Sequence, residues 1–269
     1  VNCYWDSPRF WTTTTNRNIK GTSYEVIRDI SDTCGLEFSS SNTKTADSML
    51  WSGGNRTYNE YAREVARHGY VDEKSQMVLG VDSTGILKYL NINAIAKPTL
   101  NVGYTAQATQ GRFLQILDFI PKATAGDNNA IAGYFHDRYT QNLESSKVDK
   151  SVTLDPDCRR PLVNTDVRSA VSRGGISYSP IDCGANVHPK YERALYQNTR
   201  FNLLNNLRAS VLVGVQTRLD LFDNFKYVPP EQFSSVAYSG EYTISGKIIH
   251  IVGNAYYEKF TTVKNGLEV

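Results

Sequence analysis

The sequence is poor in the residues that build metal centres and redox sites. Its 269 residues include 4 cysteines and 4 histidines, scattered along the chain. Cys3, Cys34, Cys158 and Cys183 form no CxxC pair, and His68, His136, His188 and His250 stand apart from one another. A zinc knuckle needs closely spaced ligands, so no metal site is expected. The thiols are expected to be free, as in a reducing compartment. No run reaches the ~18 apolar residues that a membrane span requires. The opening Val1-Asn2-Cys3-Tyr4-Trp5-Asp6 has no initiator Met and no basic region followed by an apolar run, so no signal peptide is expected.

Charge of one sign is also missing. Lys and Arg total 29 against 27 Asp and Glu, and the two signs interleave. Proteins that grip nucleic acid concentrate a basic stripe, so no specific nucleic-acid binding is expected. The GxSxG elbow, HExxH, P-loop and GxGxxG signatures are all absent. No catalytic, cofactor-binding or metal-ligating residue is nominated, and no cofactor is implied.

What is present is enough apolar material for a packed core. Hydrophobic residues make up 40% and charged residues 21%, compatible with one large or two ordinary domains. Tyr4, Trp5, Phe10, Trp11 and the run Thr12 to Thr15 favour an extended start. Thr22-Ser23-Tyr24-Glu25 has the spacing of a capping box, with Gly35 as the helix stop. Glu37 to Ser48 reads as a polar loop. Thr57-Tyr58-Asn59-Glu60 repeats the capping box ahead of a helix ending at His68-Gly69. Neither helix is long enough to stand alone, so the two are expected to pack as a pair. Met77–Val81 and Ile86–Leu90 read as a hairpin about the turn Asp82-Ser83-Thr84-Gly85.

From Pro98 the pattern is mainly β. Asn101 to Ala108 alternates weakly, Phe113 to Ile120 more strongly, and turn formers crowd residues 122–189. Pro189 suits the first position of a helix running to near Arg208. Ser210 to Thr217, Arg218 to Phe225, Ser239 to Val252 and Tyr256 to Val263 are four candidate strands. Gly214, Gly240, Gly246 and Gly253 fall where a small barrel would bend or turn.

Residues with a chemical reading each have a plainer one. Ser41 and Lys44 match SxxK, but in a polar loop rather than at a helix start. Asp220, Asp223 and Glu231 are the nearest thing to a glycosidase carboxylate pair, by proximity only, and a solvated strand edge explains them. Asn55-Arg56-Thr57 is a glycosylation sequon that doubles as a helix entry. His68 is expected to meet the helix dipole as a cation, His136 to lie on the surface, and His250 to be a hydrogen-bonded core or lumen residue. The 17 tyrosines are spread through all segments and suit cores and interfaces.

Several segments carry a resemblance. Thr22-Ser23-Tyr24-Glu25-Val26-Ile27 opens the first helix and Met49-Leu50-Trp51-Ser52-Gly53-Gly54 follows. Tyr58-Asn59-Glu60-Tyr61-Ala62-Arg63-Glu64-Val65-Ala66 and the hairpin ending Thr84-Gly85-Ile86-Leu87 complete the set. In this order, residues Gly21 to Ile95 resemble the inserted module of baseplate hub proteins of contractile-tailed bacteriophages. Val236 to Phe260, with Tyr238-Ser239-Gly240-Glu241-Tyr242 and Ile248-Ile249-His250-Ile251, is similar to that family's closing barrel.

The resemblance implies an α+β, predominantly β fold, with tube-like β-barrel domains and an inserted helix–helix–hairpin module. Residues 1–20 would give strands of a first, incomplete barrel, 21–97 the module, 98–188 a β-rich segment completing that barrel, and 189–269 a helix and the C-terminal barrel. The missing early strands would belong to a longer polypeptide or to another chain. The family further implies a non-enzymatic virion protein of the tail baseplate, assembled in the host cytoplasm. It would form a homotrimer whose ring adapts the sixfold tail tube protein to the threefold central spike protein, in contact with the tape measure protein and other baseplate subunits. The competing readings are a tail-associated cell-wall hydrolase and a carbohydrate-binding adhesin using Trp5, Trp11 or Trp51.

Overall fold

The computed structural model describes residues 7–72, 75, 77–92, 98, 100–104, 112–122, 136–141, 148–152, 175–178, 187–188, 190–191, 194, 207–230 and 238–264. Both capping boxes form. The Thr22 hydroxyl accepts from the Glu25 amide at 3.3 Å, and the Glu25 carboxylate accepts from the Thr22 amide at 2.8 Å, opening α2 (Ser23–Cys34). Gly35 closes α2 at φ +70°, its amide turned back on the carbonyls of Asp32 and Ser31. Thr57 and Glu60 repeat the exchange at 3.2 and 2.9 Å for α3 (Tyr58–His68). The two helices pack together through Val26, Ile27 and Ile30 of α2 and Tyr61, Ala62 and Val65 of α3. Below them lies a three-stranded sheet. In it, β3 (Glu37–Ser40) runs parallel to β7 (Ile86–Asn91), and β6 (Met77–Val81) is the antiparallel hairpin partner of β7.

Two expectations for this region are corrected. The chain start is not extended throughout, because Ser7-Pro8 opens a short helix α1 (Pro8–Thr12) that buries Phe10 in the core of the module. Pro8 supplies the fixed φ of a first helical turn, and burying Phe10 outweighs the β preference of its neighbours. After it, β1 (Thr14–Thr15) pairs with β5 (Arg56–Thr57), and β2 (Asn18–Gly21) pairs with β4 (Met49–Ser52). The described residues before 21 therefore pair within the module rather than with the barrel sheet. The polar stretch after Gly35 is likewise no plain loop, since its first four residues form β3.

The second unit is a curled seven-stranded sheet in the order β10 (Asp118–Lys122), β14 (Leu207–Val213), β17 (Ala255–Lys264), β16 (Gly240–Val252), β15 (Asn224–Tyr227), β8 (Leu100–Gly103), β9 (Arg112–Gln115). Its two end strands are successive stretches of one segment. Residues 112–115 pair with β8, the Ile116 amide donates to the Gly103 carbonyl at 2.9 Å, and the Leu117 amide switches sides to the Leu212 carbonyl at 2.8 Å. Residues 118–122 then pair with β14. The concave side holds Val102, Ile116, Phe119, Val211, Val213, Phe225, Tyr227, Tyr242, Ile244 and Phe260. The rings of Phe119 and Tyr227 stack at 3.8 Å between centroids, with Tyr242 edge-on to Phe119.

This sheet draws strands from both sides of position 189, so the division expected there is crossed. The expected helix from Pro189 falls mostly outside the described residues. Tyr191 and Ala194 are helical, but Leu207 and Arg208 already belong to β14. The strand expected over 218–225 reduces to β15, because Asp220 to Asp223 make a turn closed by the Asp223 amide on the Asp220 carbonyl. A separate sheet joins β12 (Val148–Val152), β11 (His136–Gln141) and β13 (Gly175–Tyr178). The described structure is predominantly β in an α+β arrangement.

A joint connects the units. The amide and hydroxyl of Ser83, at the tip of the β6–β7 hairpin, donate to the Asp220 carboxylate, and Lys88 Nζ donates to the Leu221 carbonyl at 3.0 Å. A Cβ on Gly80 would collide with the Leu221 side chain.

Candidate assembly interface

The strand pair β16–β17 is longer than its neighbours. On one side β15 covers only Gly240 to Thr243 of β16. On the other, β14 ends at Val213, opposite Glu258 of β17. His250, Ile251 and Val252 are paired only with Tyr257, Tyr256 and Ala255 among the described residues. A bulge between Ile244 and Gly246 shifts the register just where β15 stops, which bends and twists the pair as it leaves the sheet. The arm turns over at Gly253-Asn254, with Gly253 at φ +59°, a position L side chains rarely adopt.

Composition makes this arm unusual. Ile248, Ile249, Ile251 and Val252 are 45% to 68% exposed. Because successive residues point to opposite faces of a strand, both faces of the arm present apolar side chains. The outer backbone edge of β16 beyond Ile244 has no strand partner among the described residues. An exposed, apolar, unpaired strand edge is an aggregation hazard that folded proteins cover or blunt.

The root of the arm is held by a buried polar knot. Glu258 faces inward, fully buried, and its Oε1 lies 3.1 Å from Lys247 Nζ and 2.7 Å from the Tyr256 hydroxyl. Its Oε2 accepts from the Thr217 amide at 3.2 Å and the Thr217 hydroxyl at 2.5 Å. Lys247 Nζ also donates to the Leu219 carbonyl at 2.9 Å. Burial, and then the neighbouring Glu258 carboxylate, push the Tyr256 phenol up to about 12. Residues 217–219 are thereby tied to the hairpin at the point where β14 ends. Sequence reasoning missed this knot. Its one trace is that Glu258 shares strand parity with Phe260 and Thr262, both buried.

The residues singled out from sequence separate widely. Asp220 accepts from Ser83 and Asp223 accepts from the Asp220 amide at 2.8 Å, so both serve the joint and its turn, while Glu231 lies outside the described residues. The Ser41 hydroxyl donates to Asn42 Oδ1 and accepts from the Asn91 amide, not engaging Lys44. Trp51 is buried, donating from its indole to the Gly21 carbonyl at 2.8 Å, whereas Trp11 is exposed and Trp5 lies outside the described residues. Cys34 is a buried free thiol, pushed up to about 11 by burial, with Arg9 pulling it back less. The other three cysteines and the side chain of His136 lie outside the described residues.

Two histidine expectations are corrected. His250 is exposed near the tip of the arm, so it is no residue of the chain's own core. His68 is no cation at a helix end: it is buried, and burial depresses its proton affinity more than the Glu64 carbonyl and carboxylate raise it.

Among the described residues no group of three or more His, Cys, Asp or Glu could hold a metal ion, and no helix is long and apolar enough to cross a membrane. No protein-family model and no curated protein matches the chain. Among the solved structures similar to the chain are two tail proteins. One is the tail protein from Neisseria meningitidis MC58, with a TM-score of 0.57 and 10% identity, covering 95% of this chain and 71% of that one. The other is the 43 kDa tail protein of prophage MuSo2 from Shewanella oneidensis, with a TM-score of 0.57 and 10% identity, covering 96% and 71%. The chain shares the fold of these two tail proteins. At such identity the likeness carries the backbone architecture and not its residues, so the arm and the knot stand on their own geometry.

Proposed function

We propose that the chain is a structural protein of a bacteriophage tail. Within the tail we assign it to the baseplate hub, as a homotrimer whose ring adapts the sixfold tail tube to the threefold central spike. The observation that carries this reading is the apolar two-stranded arm, which, among the described residues, leaves a strand edge and both faces without a partner in a fold shared with tail proteins. A second copy that supplies a strand edge would cover it, and repeated head-to-tail addition closes into a ring when the rotation per step divides a full turn. Obligate interfaces of this kind often exceed ~2,000 Å².

In this reading the protein works by shape and burial, without catalysis, in the virion baseplate after assembly in the host cytoplasm. The tail tube, spike, tape measure and neighbouring baseplate proteins are its partners. Residues 21–97, with the short pairings before them, act as an inserted module carried on the barrel unit through the Ser83–Asp220 joint. Native mass spectrometry and electron microscopy of the purified protein test the proposal together. Three copies in a threefold ring are expected. A monodisperse monomer at tens of micromolar concentration would overturn it.

A further inference from the structure

His188, Lys190, Tyr191 and Ala194 are distant in sequence from the helical module, yet a pair of buried histidines joins them to it. His188 and His68 are 2% and 4% exposed. The Nε2 of His188 lies 2.9 Å from the carbonyl oxygen of His68, at the last turn of α3. A carbonyl only accepts, so Nε2 carries a proton. The Nδ1 of the same ring lies 3.2 Å from the Lys190 amide, which only donates, so Nδ1 carries a lone pair. The ring is neutral, with its tautomer fixed from both sides. Through Nδ1 His188 caps the start of a helical turn in which the Tyr191 amide donates to the His188 carbonyl and the Ala194 amide to the Lys190 carbonyl, each at 3.0 Å. Through Nε2 it satisfies an end carbonyl that α3 cannot satisfy itself. The ring of His68 stacks on Tyr191 at 4.1 Å, and its Nδ1 donates to the Glu64 carbonyl at 2.9 Å.

We infer that His188 and His68 form an acid-released clasp holding the turn that carries Lys190, Tyr191 and Ala194 on the carboxyl end of α3, with His188 the residue whose protonation opens it. A second proton on His188 has only Nδ1 to occupy. There it sets an N–H against the N–H of Lys190, removes the cap and places a cation at the amino end of a helical turn, where the backbone dipoles oppose it. Among the described residues the charged and titratable groups facing the clasp are few. From α3 come the Glu64 carboxylate, 3.4 Å from His68 Nδ1, and Arg67. From the segment before β4 comes Asp47, whose oxygens accept from the Ser23 and Tyr70 amides. Lys190 and the Tyr191 phenol belong to the clasped segment, and the nearby Trp51 ring is uncharged. Burial lowers the proton affinity of both rings. In His188 it outweighs the His68 carbonyl and Asp47, and in His68 it outweighs Glu64. A ring held neutral when clasped and protonated below about 6.5 when free makes the clasp intact above that pH and progressively lost below it.

Hydrogen–deuterium exchange at pH 7.5 and 5.0, with labelling times scaled for intrinsic exchange, tests the clasp. The peptide covering 187–194 is expected to lose at least about tenfold of its protection at pH 5.0, while peptides from α2 do not change. His188→Gln keeps one donor and one acceptor but cannot titrate, so its protection should be equal at both pH values. Equal wild-type protection at the two pH values, or a pH loss in His188→Gln as large as in the wild type, overturns the clasp. If the variant does not fold, the ring nitrogen shifts of wild-type His188 at pH 7.5 decide. An Nε2–H neutral ring supports the clasp and a doubly protonated ring sinks it.

Discussion

Lys247 Nζ and Glu258 Oε1 lie 3.1 Å apart on adjacent strands, with side chains 8% and 1% exposed, at the root of an arm whose tip is apolar and open to solvent. The pair is buried where rigidity is needed and the exposed surface lies just beyond it. An ion pair this dry stabilises its surroundings only while both partners and their hydrogen bonds are present.

Removing one partner should therefore cost more than removing both. Glu258→Ala leaves the Lys247 charge buried without its counter-ion and is expected to destabilise the protein by about 3–5 kcal/mol. The double change Lys247→Met with Glu258→Leu should recover a large part of that loss. Urea unfolding midpoints of the three proteins measure the difference, and an equal loss in the single and double variants would contradict the assignment.

The helix caps make a smaller and more local prediction. Thr57→Ala and Thr22→Ala should each cost about 1 kcal/mol, since each hydroxyl satisfies an amide at a helix start. The Glu60 carboxyl is held below its ordinary range, first by the Thr57 backbone amide and then by the Thr57 hydroxyl. The stabilisation it contributes is present above pH 4.5 and is lost as the pH falls through its lowered value. Thermal unfolding of wild type and Thr57→Ala at pH 7 and pH 3 should show the gap between them narrowing in acid.

The arm separates folding from assembly. Ile251→Asp alters a side chain 66% exposed in the single chain, so the isolated subunit should keep its own stability to within about 0.5 kcal/mol. Oligomers, by contrast, should be lost on native mass spectrometry. Ile244→Asp, at a fully buried position of the same strand, should instead fail to fold. An Ile251→Asp protein that still assembles like wild type would remove the arm from the interface.

Cys34 offers a chemical probe of the module core. With its thiol raised to about 11, only about one molecule in a thousand is the reactive thiolate at pH 8. Iodoacetamide should label the Cys34 peptide slowly in the native protein and rapidly in urea, as followed by peptide mass. Native labelling at the denatured rate would mean that the core of the module does not cover it.

Local chemistry was legible in the sequence and long-range pairing was not. Thr22 with Glu25, Thr57 with Glu60, Gly35, and the turn Asp82 to Gly85 each act through residues within four positions, so their spacing alone betrays them. The strands β16 and β17 were readable almost to the residue. The parallel pairing of β3 with β7 was not, because Glu37-Phe38-Ser39-Ser40 is polar and joins a strand about fifty residues away. Ile248 to Val252 misled in a different way. An apolar strand announces that it will be covered, but its pattern does not say whether the cover comes from its own chain. The Glu258 knot was hidden because the bulge after Ile244 shifts Lys247 onto its carboxylate, and no period-two reading anticipates an added residue.

The crossover at Leu117 has a mechanical corollary. A single continuous stretch, residues 112–122, is hydrogen-bonded to β8 with its first half and to β14 with its second. It therefore works like the tongue of a buckle, fastening both ends of a rolled sheet with one piece of chain. Losing the pairing of either half would open the roll and leave it with two raw margins.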